Sequence, residues 1–389
     1  MRSSRAKCRD FINNLAGSTR ALAHGQIYPG PGNEADPAFG DYTQWQIEFC
    51  QPDSWKGYNV AFAASASVGA PFARWRLDDE IIAYPTYQIL AKNKGQLRKH
   101  PGLFNICIHK GLSANATQPG GMNNIPEFDN PDDIAKAATD WPQCNWIIYH
   151  SCIRPSFWVL QALQDIENSV VLTDSHGHSV PNIRWSTQFA QIAGGKYKAG
   201  AEPTSKSPSS HYRLRNVYAE LGTTMASMIV TFPTVWAHLI GQLLYYMGSD
   251  NIVFGSDSLW YCGPQWQIDA LWRFQIPDRI QEKWRYPQLD EYVKRKILGL
   301  NSARLYSLNG HSPVGQYGSP YKQGNLQQYE TAISNSPSIE GVLPGVGYPT
   351  PIVQANLLPD DNFSQMRRDY AEMGLGRSNT RFGWIRKRA

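Results

Sequence analysis

Residues 103–112 read LFNICIHKGL and residues 145–151 read NWIIYHS. Each is a short, nearly unbroken apolar run that stops at a histidine. The same pattern returns in NVYAELGT (216–223) and IVFGSDS (252–258), where the run stops at an acidic residue instead. Such runs predict parallel strands covered on both faces. Two weaker runs precede them, Gly25–Pro29 and Trp55–Val60, the second introduced by the turn-forming Gln51-Pro-Asp-Ser54. Helical spacing occupies Arg9–Leu22, Asp132–Asp140, Ser156–Ile166 and Gln265–Phe274. The gaps between the strong runs are long enough for a crossover helix and a loop. Strand and helix therefore alternate, which predicts an α/β fold.

After Leu308 the composition changes. Residues Asn309–Leu358 are dense in Gly, Pro, Ser, Asn and Gln. The chain from there reads as an extended tail with one short helix over Asp361–Met373, suited to wrapping the domain or reaching a neighbouring subunit in a homo-oligomer. The organisation expected is a domain over 1–308 and a tail over 309–389.

Composition narrows the function. The 389 residues are 42% hydrophobic and 18% charged, an ordinary globular balance. The net charge of +5 is spread along the chain, with one basic cluster at Arg381, Arg386, Lys387 and Arg388. A nucleic-acid partner is not expected, because such binders concentrate their charge in a stripe. Six cysteines without a CxxC pair read as free thiols. The longest apolar stretch, Thr224–Met247, holds Pro233, His238 and Gln242, so it reads as a buried helix rather than a membrane span. No secretory leader opens the chain, and a cytoplasmic location is the default expectation.

Three strands deliver His109, His150 and Asp257 as the first polar side chains at their carboxyl ends, where parallel α/β barrels gather their chemistry. Two imidazoles and a carboxylate have the ligand chemistry of a divalent metal, zinc first, manganese or iron as alternatives. Taken singly, each has a structural reading as well: a loop-capping histidine, or an aspartate capping the next helix. His176-Gly-His178 imitates a metal motif but falls between the NWIIYHS and NVYAELGT runs, and reads as a polar loop insertion, with a circularly rearranged metal site as the alternative. No phosphate-binding loop, dinucleotide fingerprint or nucleophile elbow is present.

In order, LFNICIHKGL, NWIIYHS, NVYAELGT, IVFGSDS and LGLNSARLY (298–306) resemble the late-barrel motifs of the amidohydrolase-2 family. This is the metal-dependent TIM-barrel group that includes aminocarboxymuconate-semialdehyde decarboxylase. The resemblance implies a (β/α) barrel, and only family strands three to eight can be counted, so the barrel is expected to be incomplete at its N-terminal side. It also implies roles. His109 corresponds to a metal ligand, His150 to the residue that polarises substrate or moves a proton, and Asp257 to a ligand that also acts as base. Glu220 corresponds to a further acid/base group or to an acceptor behind a ligating histidine. Lys110 and Arg154 border the rim and are candidates to bind an anionic group of a small-molecule substrate, with a solvated surface charge as the alternative. The family's first-strand His-x-His pair has no counterpart before His109. The function expected is metal-dependent hydrolysis of a carbonyl or amide-type bond, with non-oxidative decarboxylation, or a metal-free non-catalytic relative, as the alternatives.

Overall fold

Every strand of the main sheet alternates between a side chain that packs under helices and one that does not, and this alternation organises the molecule. The computed structural model describes residues 4–16, 21–27, 29, 42–59, 75–98, 100–112, 126–154, 158–198, 212–258, 260–261 and 263–307. The tail over 309–389, its expected helix and any assembly through it lie outside these residues. Among the described residues six strands form one parallel sheet: β1 (His24–Ile27), β2 (Ser54–Tyr58), β3 (Asn105–His109), β4 (Asn145–Tyr149), β7 (Val217–Glu220) and β8 (Ile252–Val253). Their order in space is their order in sequence, with β1 and β8 at the two edges. Crossovers that always step the same way wind a sheet toward a barrel; among the described residues it stays open, the incomplete α/β barrel that the strand count predicts. A separate antiparallel hairpin, β5 (Val171–Thr173) with β6 (Ser179–Pro181), carries His176 and His178 at its tip. Asp174 Oδ1 accepts from the backbone N–H of both histidines at 2.8 and 2.9 Å, so the pair belongs to an Asp-capped turn.

The outward row of the sheet is Ile27, Trp55, Ile106, Ile108, Trp146, Ile148, Val217, Ala219 and Ile252, all buried in the main core. Helix Pro233–Met247 is central to that core and is apolar nearly all round. The stretch 224–247 is two helices, Gly222–Met228 and Pro233–Met247, because Pro233 has no N–H to continue the first and starts the second instead. The polar residues within it are satisfied: Gln242 donates to Pro181 O at 2.8 Å and accepts from Thr187 at 2.7 Å, and His238 Nδ1 lies 3.3 Å from the Tyr286 hydroxyl. Among the described residues no helix is long and apolar enough to cross a membrane.

The inward row corrects the expectation of strands apolar on both faces. Register sets Lys56 beside Cys107, Cys107 beside Ile147 and Ile147 beside Tyr218 as a middle layer. Below it, Ser54 Oγ meets His24 Nδ1 at 2.7 Å, Asn145 donates to Asn105 at 2.8 Å, and Asn105 donates to Leu305 O at 2.8 Å. Leu305 and Tyr306 close this end, with Cys107, Ile147, Tyr218 and Val253 as a small second core. Above it, toward the strand carboxyl ends, stand Tyr58, His109 and Tyr149, neighbours in register. The runs look continuous because apolar residues, such as Cys107 and Ile147, share the inner face with polar ones.

Candidate active site

The corner after β4 is the most constrained piece of backbone at the sheet's carboxyl end. His150, Ser151 and Cys152 all have left-handed conformations, with φ of 58°, 50° and 53°. Non-glycine residues adopt this region at a cost, and three in succession persist only where the surroundings hold them. Hydroxyls do the holding. Ser151 Oγ donates to Glu220 O at 2.9 Å, Ser186 Oγ to Ser151 O at 2.9 Å, and Thr224 Oγ1 to His150 O at 2.7 Å. The corner turns the His150 ring back over the sheet.

There the four sequence-predicted groups at the strand ends are linked in one chain of contacts. Thr223 N–H donates to His150 Nδ1 at 3.3 Å, so the ring proton of neutral His150 sits on Nε2, 3.2 Å from His109 Nδ1, which accepts it. Thr223 Oγ1 donates to Asp257 Oδ2. Glu220 Oε2 accepts from the His150 backbone N–H at 3.0 Å. Tyr58 stacks on His109 with ring centroids 5.0 Å apart. His109 and Glu220 are the last residues of their strands rather than the first beyond them, and this places both on the inward row.

Burial sets the electrostatics. Desolvation pushes the His109 pKa well down, with His150 and Lys56 adding to it, and takes His150 down to about 3. Both imidazoles are therefore neutral at pH 7. The same cause raises Glu220 to about 7, against the opposing pull of the His150 and Gly222 N–H groups and of Lys56. Two glycines leave room for its carboxyl: a Cβ at Gly255 would overlap Oε1, and one at Gly222 would come within 2.9 Å of Oε2. Cys107 is pushed up to about 11 and Cys152 higher than its usual range, so neither is a thiolate nucleophile.

Sequence reasoning missed Lys56. Its Nζ is covered, has no hydrogen-bond partner among the described residues, and lies 3.5 Å from the centroid of the Tyr149 ring and 4.7 Å from that of Tyr58. Burial lowers its pKa to about 8, while Cys107, Glu220 and Asp257 hold it up. The signal was a lysine inside the strand segment SWKGY, two residues before an inward tyrosine.

The substrate-binding role expected of Lys110 is corrected. Its side chain is 0% exposed and turns to the helix side of the sheet, where Nζ contacts Asp133 at 2.9 Å and donates to Phe128 O at 2.9 Å. Lys110 follows inward-facing His109, so strand parity sends it the other way. Arg154 is half-buried, with its guanidinium 5.9 Å from the Trp185 ring centroid. Among the described residues no hydrogen bond or ion pair joins it to the His109–Asp257 chain.

Among the described residues, the donor set does not make up the ligand shell of the expected divalent metal. A catalytic zinc takes three protein ligands and leaves a fourth position open. Among the described residues no three His, Cys, Asp or Glu side chains come together in that way. The facing nitrogens of His109 and His150 satisfy each other, Asp257 accepts from Thr223, and the covered ammonium of Lys56 already brings positive charge to the same inward face.

Known proteins bear on this arrangement in part. No protein of curated function matches the chain. Among solved structures, 5-carboxyvanillate decarboxylase from Sphingomonas paucimobilis is similar at 15% identity and a TM-score of 0.39, over 78% of this chain and 71% of that one. The 2,6-dihydroxybenzoate decarboxylase from Rhizobium is similar at 13% identity and a TM-score of 0.35, over 78% of each chain. A family model described as amidohydrolase matches residues 194–308, the stretch that carries the Glu220 and Asp257 corners. Over that stretch, in agreement with the motifs read from the sequence, the chain is similar to the amidohydrolase family.

Proposed function

We propose that this chain is an amidohydrolase-family hydrolase that works on a small molecule through two carboxyl groups rather than a metal. The observation that carries the reading is the placement of Glu220: a carboxyl buried against Gly222 and Gly255 and tied to His150 N–H, on the same chain of contacts as the half-exposed Asp257. Two titratable groups whose surroundings differ this much divide into an acid and a base. Glu220, protonated below about pH 7, donates to the carbonyl oxygen of the substrate as charge develops there. Asp257, oriented by Thr223 Oγ1, takes the proton from an attacking water. The neutral His109–His150 pair fixes the corner from which the His150 N–H grips Glu220.

The test is incorporation of 18O from labelled water into the products of small carboxylate-bearing amides and lactones, assayed in EDTA. Glu220→Gln and Asp257→Asn are each expected to lower the rate at least a hundredfold, the usual scale for a positioned acid or base. Full activity in either variant, or activity in wild type that EDTA abolishes, overturns the proposal.

Decarboxylation is the second reading, favoured by one feature: Glu220 keeps a proton away from water and near neutrality can return it to carbon. Release of carbon dioxide from 2,6-dihydroxybenzoate, without uptake of labelled oxygen, selects this reading over hydrolysis.

A further inference from the structure

Four rings stand in a row above the middle layer of the sheet. Tyr58 stacks on His109, with centroids 5.0 Å apart and planes 27° from parallel. His109 meets His150 edge-on at 4.6 Å, the arrangement that brings His150 Nε2 to 3.2 Å from His109 Nδ1. His150 in turn meets Tyr149 edge-on at 5.9 Å. Each imidazole thus has one tyrosine beside it. Lys56 connects the two tyrosines from below. It starts on β2, one layer under Tyr58, and crosses β3 where the side chain in its path is the small Cys107. Its Nζ ends 3.5 Å from the centroid of Tyr149 on β4 and 4.7 Å from that of Tyr58 on its own strand. At 3.5 Å from the centroid the nitrogen lies over the ring face, because in the ring plane it would collide with carbon.

We propose that Lys56 is a positioning residue of the candidate active site: its ammonium clamps the faces of Tyr149 and Tyr58 and so sets the planes in which His150 and His109 meet. Three observations carry this. The ammonium is covered and makes no hydrogen bond among the described residues, so the ring faces are what it holds, and a desolvated cation is drawn to such a face more strongly than an exposed one. A buried charge without a full partner lowers stability, a cost that proteins carry where a site needs it. The contact it would protect is also easily lost: 3.2 Å is at the long end of the range for a hydrogen bond from nitrogen, so a modest turn of either imidazole breaks it. With that contact goes the fixed corner from which the His150 N–H holds Glu220. Because Nζ is covered, Lys56 acts on a substrate through these rings and not by touching it.

The effect on turnover rests on the hydrolase reading; the effect on the ring pair does not. The experiment is therefore histidine-selective 15N NMR of the full chain at pH 7.5, with His150 assigned by its loss in His150→Gln. Wild type is expected to show a slowly exchanging His150 Nε2–H. Lys56→Met, which removes the charge and keeps an apolar stem, is expected to lose that resonance while melting no lower than wild type. Tyr149→Leu removes the ring face instead, is expected to lose it too, and serves if the methionine variant does not fold. Tyr149→Phe keeps the face and is expected to keep the resonance. On whichever amide or lactone the wild type hydrolyses, Lys56→Met should lower kcat by about tenfold to a hundredfold, the scale of a misplacement of about 1 Å, and leave KM nearly unchanged. Wild type without turnover refutes the hydrolase reading and leaves the NMR to decide this one. A His150 Nε2–H absent from wild type, or unchanged in both Lys56→Met and Tyr149→Leu, overturns the proposal. So does its loss in Tyr149→Phe, or a rise in KM that accounts for the whole fall of kcat/KM in Lys56→Met.

Discussion

Replacing Lys110 by methionine removes one half of an ion pair whose two side chains are both 0% exposed. Asp133 then keeps its hydrogen bond from Leu77 N–H at 2.8 Å, but its other oxygen faces a dry cavity with no cation in contact. Phe128 O loses its donor too. Breaking a buried pair by deleting one partner costs about 3–5 kcal/mol, mostly because the surviving charge is stranded. A loss of 3 kcal/mol is already more than a hundredfold in the unfolding equilibrium. The carboxyl has an escape: burial already raises the Asp133 pKa against the pull of Lys110 and Arg76, so without the ammonium it takes up a proton more readily. The variant's deficit should therefore shrink as pH falls from 8 to 5. Lys110→Met/Asp133→Asn should recover much of the loss, since no charge is left and the amide oxygen can still accept from Leu77. Urea denaturation followed by tryptophan fluorescence measures all three. A Lys110→Met midpoint that corresponds to less than 1 kcal/mol, with a raised KM for an anionic substrate, would refute the buried-pair argument and return Lys110 to the rim.

Four further outcomes follow from the site. Glu220 has a folded pKa near 7, above its unfolded value near 4.5, so its contribution to stability is complete below about pH 4.5 and is lost as pH rises through 7. Up to roughly 3 kcal/mol of pH-dependent stability should disappear in Glu220→Gln, read as a flattened profile of melting temperature against pH. As the acid in the proposed reaction, Glu220 also predicts a rate that falls above pH 7, and a limb at that position surviving in Glu220→Gln contradicts the assignment. Gly255→Ala pushes the carboxyl from its seat and should cut activity at least tenfold with little change in fold, checked by CD. Lys56→Met replaces an unpaired buried ammonium with an apolar chain and should leave the melting temperature unchanged or higher; a fall of several degrees would show that the ammonium is paired in solution.

The sequence located the parts of this fold better than their facing. All six strand positions of the sheet could be read within a few residues, because apolar runs ending at glycine or polar corners mark parallel strands whatever surrounds them. His109, His150, Glu220 and Asp257 could be read as rim residues for the same reason. Direction was harder. Lys110 follows an inward residue, and parity alone sends it outward to Asp133, yet proximity in sequence to His109 made it look like a rim cation. Lys56 required register as well, since only the pairing of β2 with β3 sets it beside Cys107 and under the His109 ring. Long-range register and the partner helix that supplies Asp133 are tertiary facts, and a single strand's composition holds neither. The same limit applies to the candidate metal ligands: their types could be counted, while the contacts they make could not.

The alternation of the sheet has an evolutionary consequence. Ile106, Ile108, Trp146 and Ile148 serve cohesion, while Cys107, His109, Ile147 and Tyr149, interleaved with them one for one, serve the interior. Substitutions on the inner set can retune reactivity with little effect on the outer one, so the two can diverge at separate rates. What binds them is phase. A one-residue slip in any strand exchanges the two sets together and ruins both. The corners that pin each strand's last residue, above all the hydroxyl-tied turn at 150–152, therefore act as the phase locks of this lineage, and drift in its sequence should be slowest there.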